Sequence, residues 1–126
     1  MEHTPAVSVI IPTCNRTDLL PVALRSLTWQ TFKNFEVVVV NDGEDDVAPV
    51  LDSFKDSLSI SLVNHTEKRQ GLSAARNSGL RAARGTHLVY LDDDDFFYEN
   101  HLSVLYGAIG IADYKVLYTD ALLGVQ

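Results

Sequence analysis

Two β-branched apolar runs, residues 7–11 and 35–40, flank a segment in which Leu19, Leu20, Ala23, Leu24 and Leu27 recur at helical spacing. Continuous apolar runs of this length mark strands buried on both faces. Strands that alternate with helices imply an α/β layer with a mostly parallel sheet and right-handed crossovers. The alternation continues along the chain. Residues 58–63, 86–91 and 114–119 bring the expected strands to five, and helices are expected over 18–30, 46–55, 73–84 and 100–109. Pro12 and the Asn41-Asp42-Gly43 turn would stop the first two strands. Thr17 is placed to cap the first helix, Pro21 is tolerated in its first turn, and Gly85 would end the helix over 73–84.

The 126 residues, 46% of them hydrophobic and 21% charged, suit one soluble domain with one core. A formal charge of −7 argues against binding the phosphate backbone of DNA or RNA. No apolar stretch reaches the roughly 20 residues that span a bilayer. The Met1-Glu2-His3-Thr4-Pro5 start lacks the regions of a signal peptide, so a cytoplasmic location is expected. The lone Cys14 agrees with a reducing compartment.

Ligands of open α/β sheets bind outside the carboxyl ends of the strands. Three polar clusters fall there: Pro12-Thr13-Cys14-Asn15-Arg16, Asn41-Asp42-Gly43, and the four consecutive aspartates Asp92, Asp93, Asp94 and Asp95. Like charges at this density repel unless a cation sits among them. Hard oxygen ligands suit Mg²⁺, Mn²⁺ or Ca²⁺. A solvated acidic loop is the plainer reading of such a run taken alone.

The glycine-rich phosphate loops of nucleotide triphosphatases and dinucleotide-binding folds are absent, so another device must hold any phosphates. A carboxylate-held metal can bridge a nucleoside diphosphate and stabilise it as a leaving group. Asp42, exposed by its turn, is suited to accept hydrogen bonds from a base or ribose, although a plain turn aspartate is the simpler reading. Arg69 and Arg76 stand near the start of the 73–84 helix, where guanidinium groups suit phosphate or carboxylate partners. Arg81 and Arg84 are expected to be solvated. His3, His65, His87 and His101 show no metal spacing and are taken as structural or surface residues. Trp29, Phe32 and Phe35 are expected to pack in the core rather than to form a sugar platform; Tyr90, Phe96, Phe97 and Tyr98 flank the acidic block and could line a pocket, with core packing the expectation for most of them.

Four blocks together resemble a known family: residues 7–16, residues 30–43 from Gln30-Thr31-Phe32 to Asn41-Asp42-Gly43, residues 71–79 with Ala75-Arg76-Asn77, and Leu91 with the four aspartates. In this order they are similar to the nucleotide-sugar-binding N-terminal half of a family 2 glycosyltransferase. The resemblance implies a Rossmann-like GT-A fold, a mostly parallel sheet with helices on both faces, and one donor-binding domain over residues 1–126 without the acceptor half. It implies that Pro12, Thr13 and Asn15 surround the nucleoside with Asp42, which meets the base, often uracil. It also implies a DxD-type motif, with Asp92 or Asp93 near the ribose and sugar, Asp94 and Asp92 as ligands of Mn²⁺ or Mg²⁺, and Arg76 supporting the diphosphate or the acids. Four aspartates permit two registers of that motif. Cys14 departs from the tyrosine common at its position.

The implied reaction moves a sugar from a nucleotide-diphosphate donor, a UDP-sugar first among them, to an acceptor hydroxyl. No catalytic base is assigned, because Asp120 comes too early for the family's position. Without one the chain alone would bind donor but not turn over. The alternatives are a noncatalytic nucleotide-sugar-binding or interaction module and a metal-dependent phosphoryl-transfer domain. The Pro12-Thr13 strand end counts against a receiver, and the net charge against a nuclease. Apolar surface left by a missing half would permit a homodimer, and a longer parent would work at the membrane periphery. Asp42→Ala and Asp94→Ala are each expected to weaken donor binding with the fold intact.

Overall fold

A computed structural model describes residues 4–111. The expected strand over 114–119, and Asp120, lie outside the described residues. Among the described residues, four parallel strands form one sheet: β1 (Val7–Thr13), β2 (Phe35–Asn41), β3 (Ile60–Asn64) and β4 (His87–Tyr90), in the order β3-β2-β1-β4. Between and after them run α1 (Leu20–Thr28), α2 (Ala48–Asp52), α3 (Leu72–Ala82) and α4 (His101–Ile111). This is the α/β arrangement expected, with helices on both faces. No helix among the described residues is long and apolar enough to cross a membrane.

The alternation of side chains along each strand divides the core. Val7, Val9, Ile11, Val37 and Val39 pack with Leu20, Ala23, Leu24 and Leu27 of α1, Leu51 of α2 and Leu102 of α4. Ile10, Val38 and Val40 face Ala75 of α3 on the other side. Gly79 lets α3 lie directly on the sheet, because a Cβ there would collide with the Ile10 side chain and come within 3.3 Å of Val40.

Local chemistry shifts several boundaries. β1 runs through Pro12 to Thr13. Ile10 turns its carbonyl to Leu91 and Thr13 turns its carbonyl to Asp42. Pro12 therefore faces the β4 side, where pairing has already stopped at Ile10 opposite Tyr90, and no ladder bond needs its missing N–H. α1 has no side-chain cap from Thr17. The Arg16 carbonyl instead accepts the N–H groups of Leu19 and Leu20, both at 3.1 Å. α2 is shorter than its pattern because residues 53–57 continue as turns.

The tail of α3 corrects two expectations. Arg84 is not simply solvated: its backbone N–H and Nε lie 2.6 and 3.0 Å from the two carboxylate oxygens of buried Glu36. Gly85 does not cap the helix, which ends at Ala82. Its N–H donates to Ser8 Oγ at 2.8 Å, and a Cβ there would meet Ser8 at 2.6 Å. Ser8 in turn donates to Glu36 at 2.6 Å. Burial raises the Glu36 pKa, but the hydrogen bonds from Ser8 and Arg84 and the guanidinium charge outweigh it and hold the carboxyl below its usual value.

Gly79→Ala is expected to destabilise the chain by about 1–3 kcal/mol through overpacking, whereas Gly107→Ala, at an open position in α4, should stabilise it by about 0.5–1 kcal/mol. Urea unfolding midpoints read both. Glu36 contributes stability that is fully present above the ordinary glutamate pKa of 4.5 and lost as pH falls through its depressed folded value. Glu36→Gln should therefore flatten the acid limb of a stability-against-pH curve while lowering stability at neutral pH.

Candidate functional site

β2 and β3 lie to one side of β1 and β4 to the other, so the strand order reverses between β1 and β4. A crevice opens at the carboxyl ends of strands at such a switch point. Here a cleft of about 570 Å³ is lined by Pro12, Thr13, Cys14, Arg16, Asp42, Arg69, Gly71, Leu72, Ala75, Asp92, Asp93 and Asp94. Pairing of β4 with β1 ends three residues before Thr13, so Leu91, Asp92 and Asp93 continue beside the end of β1. Thr13 Oγ1 then donates to Asp93 at 2.9 Å.

Asp42 is buried at the end of β2. One of its carboxylate oxygens lies 2.8 Å from His65 Nδ1 and accepts the Gln70 N–H at 2.9 Å. The other accepts the Gly71 N–H at 2.9 Å. Its carbonyl also accepts the Arg69 N–H at 2.7 Å. The segment that enters α3 is thus wrapped around one side chain, with Arg69 at φ 57° and Gly71 at φ 104° in left-handed backbone. Burial raises the Asp42 pKa, yet hydrogen bonds from His65, Gln70 and Gly71 hold it below the usual range. His65 Nε2 lies 2.7 Å from Ser78 Oγ, which ties the same aspartate to the middle of α3.

The four acids divide by direction. Asp93 turns inward, buried, to Thr13 and to Arg16 Nη1 at 3.2 Å. Burial pushes its pKa up, Thr13 and Arg16 pull it back, and Asp94 and Asp92 add to the rise. Asp92, Asp94 and Asp95 each bring a carboxylate oxygen into a group within 4.8 Å of one another. Burial and then its neighbouring carboxylates raise the Asp95 pKa. Cations already approach this group: Arg76 Nη2 is 3.2 Å from Asp92, and Arg16 Nη1 is 3.2 Å from Asp94. Convergent carboxylate oxygens with guanidinium groups standing in for a cation fit a hard divalent ion.

Of the residues expected at the site, Pro12, Thr13, Asp42, Asp92, Asp93 and Asp94 line the cleft, and Asn15 and Arg76 do not. Asn15, at φ 55°, works as a clamp. Its Oδ1 accepts the N–H groups of Glu44 and Asp45 at 2.9 and 3.1 Å, and its Nδ2 donates to Glu44 at 2.7 Å. Arg76 lies over the Tyr90 ring, 5.1 Å from its centroid, and reaches the site through Asp92; its buried Nε has no partner. His65 was taken as a structural or surface residue and is buried against Asp42, and Arg16 stood in the first polar cluster without a role of its own. A histidine just beyond β3 on the rim was the available sign for His65.

The aromatic expectations need correction. Trp29 is 65% exposed, Phe96 and Tyr98 are each 59% exposed, and Tyr90 is 45% exposed; all but Tyr90 border a separate groove of about 660 Å³ beside α1, which is the pocket-lining alternative for Phe96 and Tyr98. Phe32, Phe35 and Phe97 do pack against the core.

Residues 8–120 match the model of glycosyl transferase family 2. The chain belongs to that family. It is 36% identical over 115 residues to the uncharacterized glycosyltransferase YwdF of Bacillus subtilis (strain 168), covering 91% of this chain and 41% of that protein. Among solved structures it is similar to S. aureus TarS 1–349 in complex with UDP, with a TM-score of 0.79, 29% identity, and coverage of 83% of this chain and 32% of that one. It is also similar to the mannosyltransferase PcManGT of Pyrobaculum calidifontis in complex with GDP-Man and Mn²⁺, with a TM-score of 0.67, 32% identity, and coverage of 75% and 29%. The sheet and its helices are the Rossmann-like GT-A fold of these glycosyltransferase neighbours. The chain spans less than half the length of the curated relatives it matches, 41% of YwdF and 17% of a Rickettsia felis glycosyltransferase.

In this family 2 chain the bonds to Asp42 revise the expectation that its loss leaves the fold intact. Asp42→Ala strands the Gln70 and Gly71 N–H groups and His65, and should cost about 1–3 kcal/mol in denaturant unfolding. Asp94→Ala, at an exposed side chain, should leave stability within about 0.5 kcal/mol of wild type.

Proposed function

We propose that this chain is the donor-binding half of a glycosyltransferase that takes a sugar from a UDP-sugar, with a divalent metal, and passes it to an acceptor hydroxyl. The observation that carries the reading is one cleft, at the β1/β4 switch point, with a buried, ionised Asp42 at one side and outward-facing carboxylates at the other. Support comes from the TarS complexes with UDP and with UDP-GlcNAc and from the PcManGT complex with GDP-Man and Mn²⁺.

Asp42 is assigned to the base. Three hydrogen bonds to its side chain leave about one lone-pair direction for an N–H of the nucleoside. Pro12 and Thr13 form the floor beside it, Asn15 sets the loop that follows, and Asp93 fixes Thr13 against the acidic segment. Asp92 and Asp94 would hold Mn²⁺ or Mg²⁺, with Asp95 within reach of the same ion. When bound, the ion supplies Lewis-acid stabilisation of the diphosphate leaving group. Arg76, held on Asp92, adds a positive charge on the same side. The acceptor pocket and the catalytic base are assigned to the longer protein, and residues 1–126 to one donor-binding domain.

Calorimetric titration of UDP with Mn²⁺ present, and then chelated, tests this. Metal-dependent binding selective for UDP over ADP and GDP is expected. Asp94→Ala should weaken it by at least about tenfold, since losses of that size already follow from disturbing residues behind a metal's ligands. Unchanged UDP affinity in Asp94→Ala would overturn the assignment of the metal side.

A further inference from the structure

We infer that Arg16 is an exchangeable resident cation of the acidic group, displaced from Asp94 by the divalent ion and thereby freed to bind the donor's diphosphate. This rests on reading the cleft as a donor site.

The geometry is specific to Arg16. One nitrogen, Nη1, sits 3.2 Å from Asp93 and 3.2 Å from Asp94, so it joins the inward acid to an outward one. Asp94 belongs to the converging carboxylates, so a guanidinium and a metal are drawn to the same group. Two cations sharing one carboxylate repel each other, and a doubly charged ion in direct contact with the oxygens outcompetes a singly charged, half-exposed side chain.

The backbone of Arg16 cannot follow such a change. Asn15 is clamped to Glu44 and Asp45, and the Arg16 carbonyl carries the N–H groups of Leu19 and Leu20. Only the side chain moves. It is half exposed and already lines the cleft, and its tie to Asp93 keeps the guanidinium on the rim after Asp94 is lost. A planar guanidinium released there is suited to phosphate oxygens. Metal entry and diphosphate binding would then favour each other beyond direct contact between ion and phosphate. Reciprocity follows from linkage.

Arg69 provides the comparison. It carries the same charge on the same cleft, yet its guanidinium pairs with Glu44 at 3.3 Å rather than with an acid of the metal group.

The experiment measures Mn²⁺ affinity of this chain without nucleotide, by the paramagnetic resonance signal of free Mn²⁺, and then UDP and uridine affinities at saturating Mn²⁺. Arg16→Gln should bind Mn²⁺ about two- to fivefold more tightly, the size expected when an exposed competing ion pair is removed. It should bind UDP about tenfold more weakly, as for loss of a charge-assisted contact, and uridine equally well. Arg69→Gln should change Mn²⁺ affinity less than Arg16→Gln does. Equal or weaker Mn²⁺ binding by Arg16→Gln, equal tightening in Arg69→Gln, or unchanged UDP affinity in Arg16→Gln would each overturn the inference while leaving the donor site standing. Failure of the wild-type chain to bind either Mn²⁺ or UDP would overturn the donor-site reading and the inference with it.

Discussion

β1 is paired on both edges and buried along its whole length, and its register with β2 and β4 determines which residues arrive at the rim. Thr13 ends level with Asn41 of β2, so Asp42 follows immediately beside it. β4 stops pairing opposite Ile10, which leaves Asp92 and Asp93 to run past the end of the ladder. A one-residue slip would reverse the faces of every side chain in the strand. Apolar packing around β1 thus sets the placement of the polar groups, although none of the residues that make the core carries a functional atom.

The charge on that rim is organised rather than merely abundant. Asp42 remains ionised despite burial because His65 and two backbone N–H groups converge on it. Asp93 is buried with fewer donors and among like charges, and its pKa moves the opposite way. The remaining acids face outward, where arginines from the β1 loop and from α3 meet them. Neighbouring carboxylates in one run are thus held differently, by burial and by the direction in which each side chain leaves the backbone. Asp92 and Asp94 point together, while Asp93 holds Thr13.

Strands and helices were legible because β-branched runs and the periodicity of α1 are local properties. The cleft was legible because the carboxyl ends of parallel strands share one edge whatever the details. What escaped depends on contacts distant in sequence. Arg84 looks like a surface arginine until Glu36, 48 residues away, is placed beside it. Thr17 looks like a cap until the Arg16 carbonyl is seen to take the N–H groups of Leu19 and Leu20. Trp29 was expected in the core on its chemistry, but α1 turns Leu20, Ala23, Leu24 and Leu27 inward and leaves Trp29 outside. Asn15 was expected among the residues that surround the nucleoside, and only the structure shows that its side chain ties together the loops that follow β1 and β2. The position of His65 just beyond β3 marks it as a rim residue, but nothing local announces that it bridges Asp42 and Ser78.

The most direct test of the account is a crystal structure of this chain grown with UDP and Mn²⁺, with anomalous diffraction recorded to locate the metal. The account predicts a Mn²⁺ peak within coordination distance of Asp92 and Asp94, with the base of UDP at Asp42 and its diphosphate between them. A nucleotide bound outside this cleft, or a metal peak away from the acidic group, would contradict it.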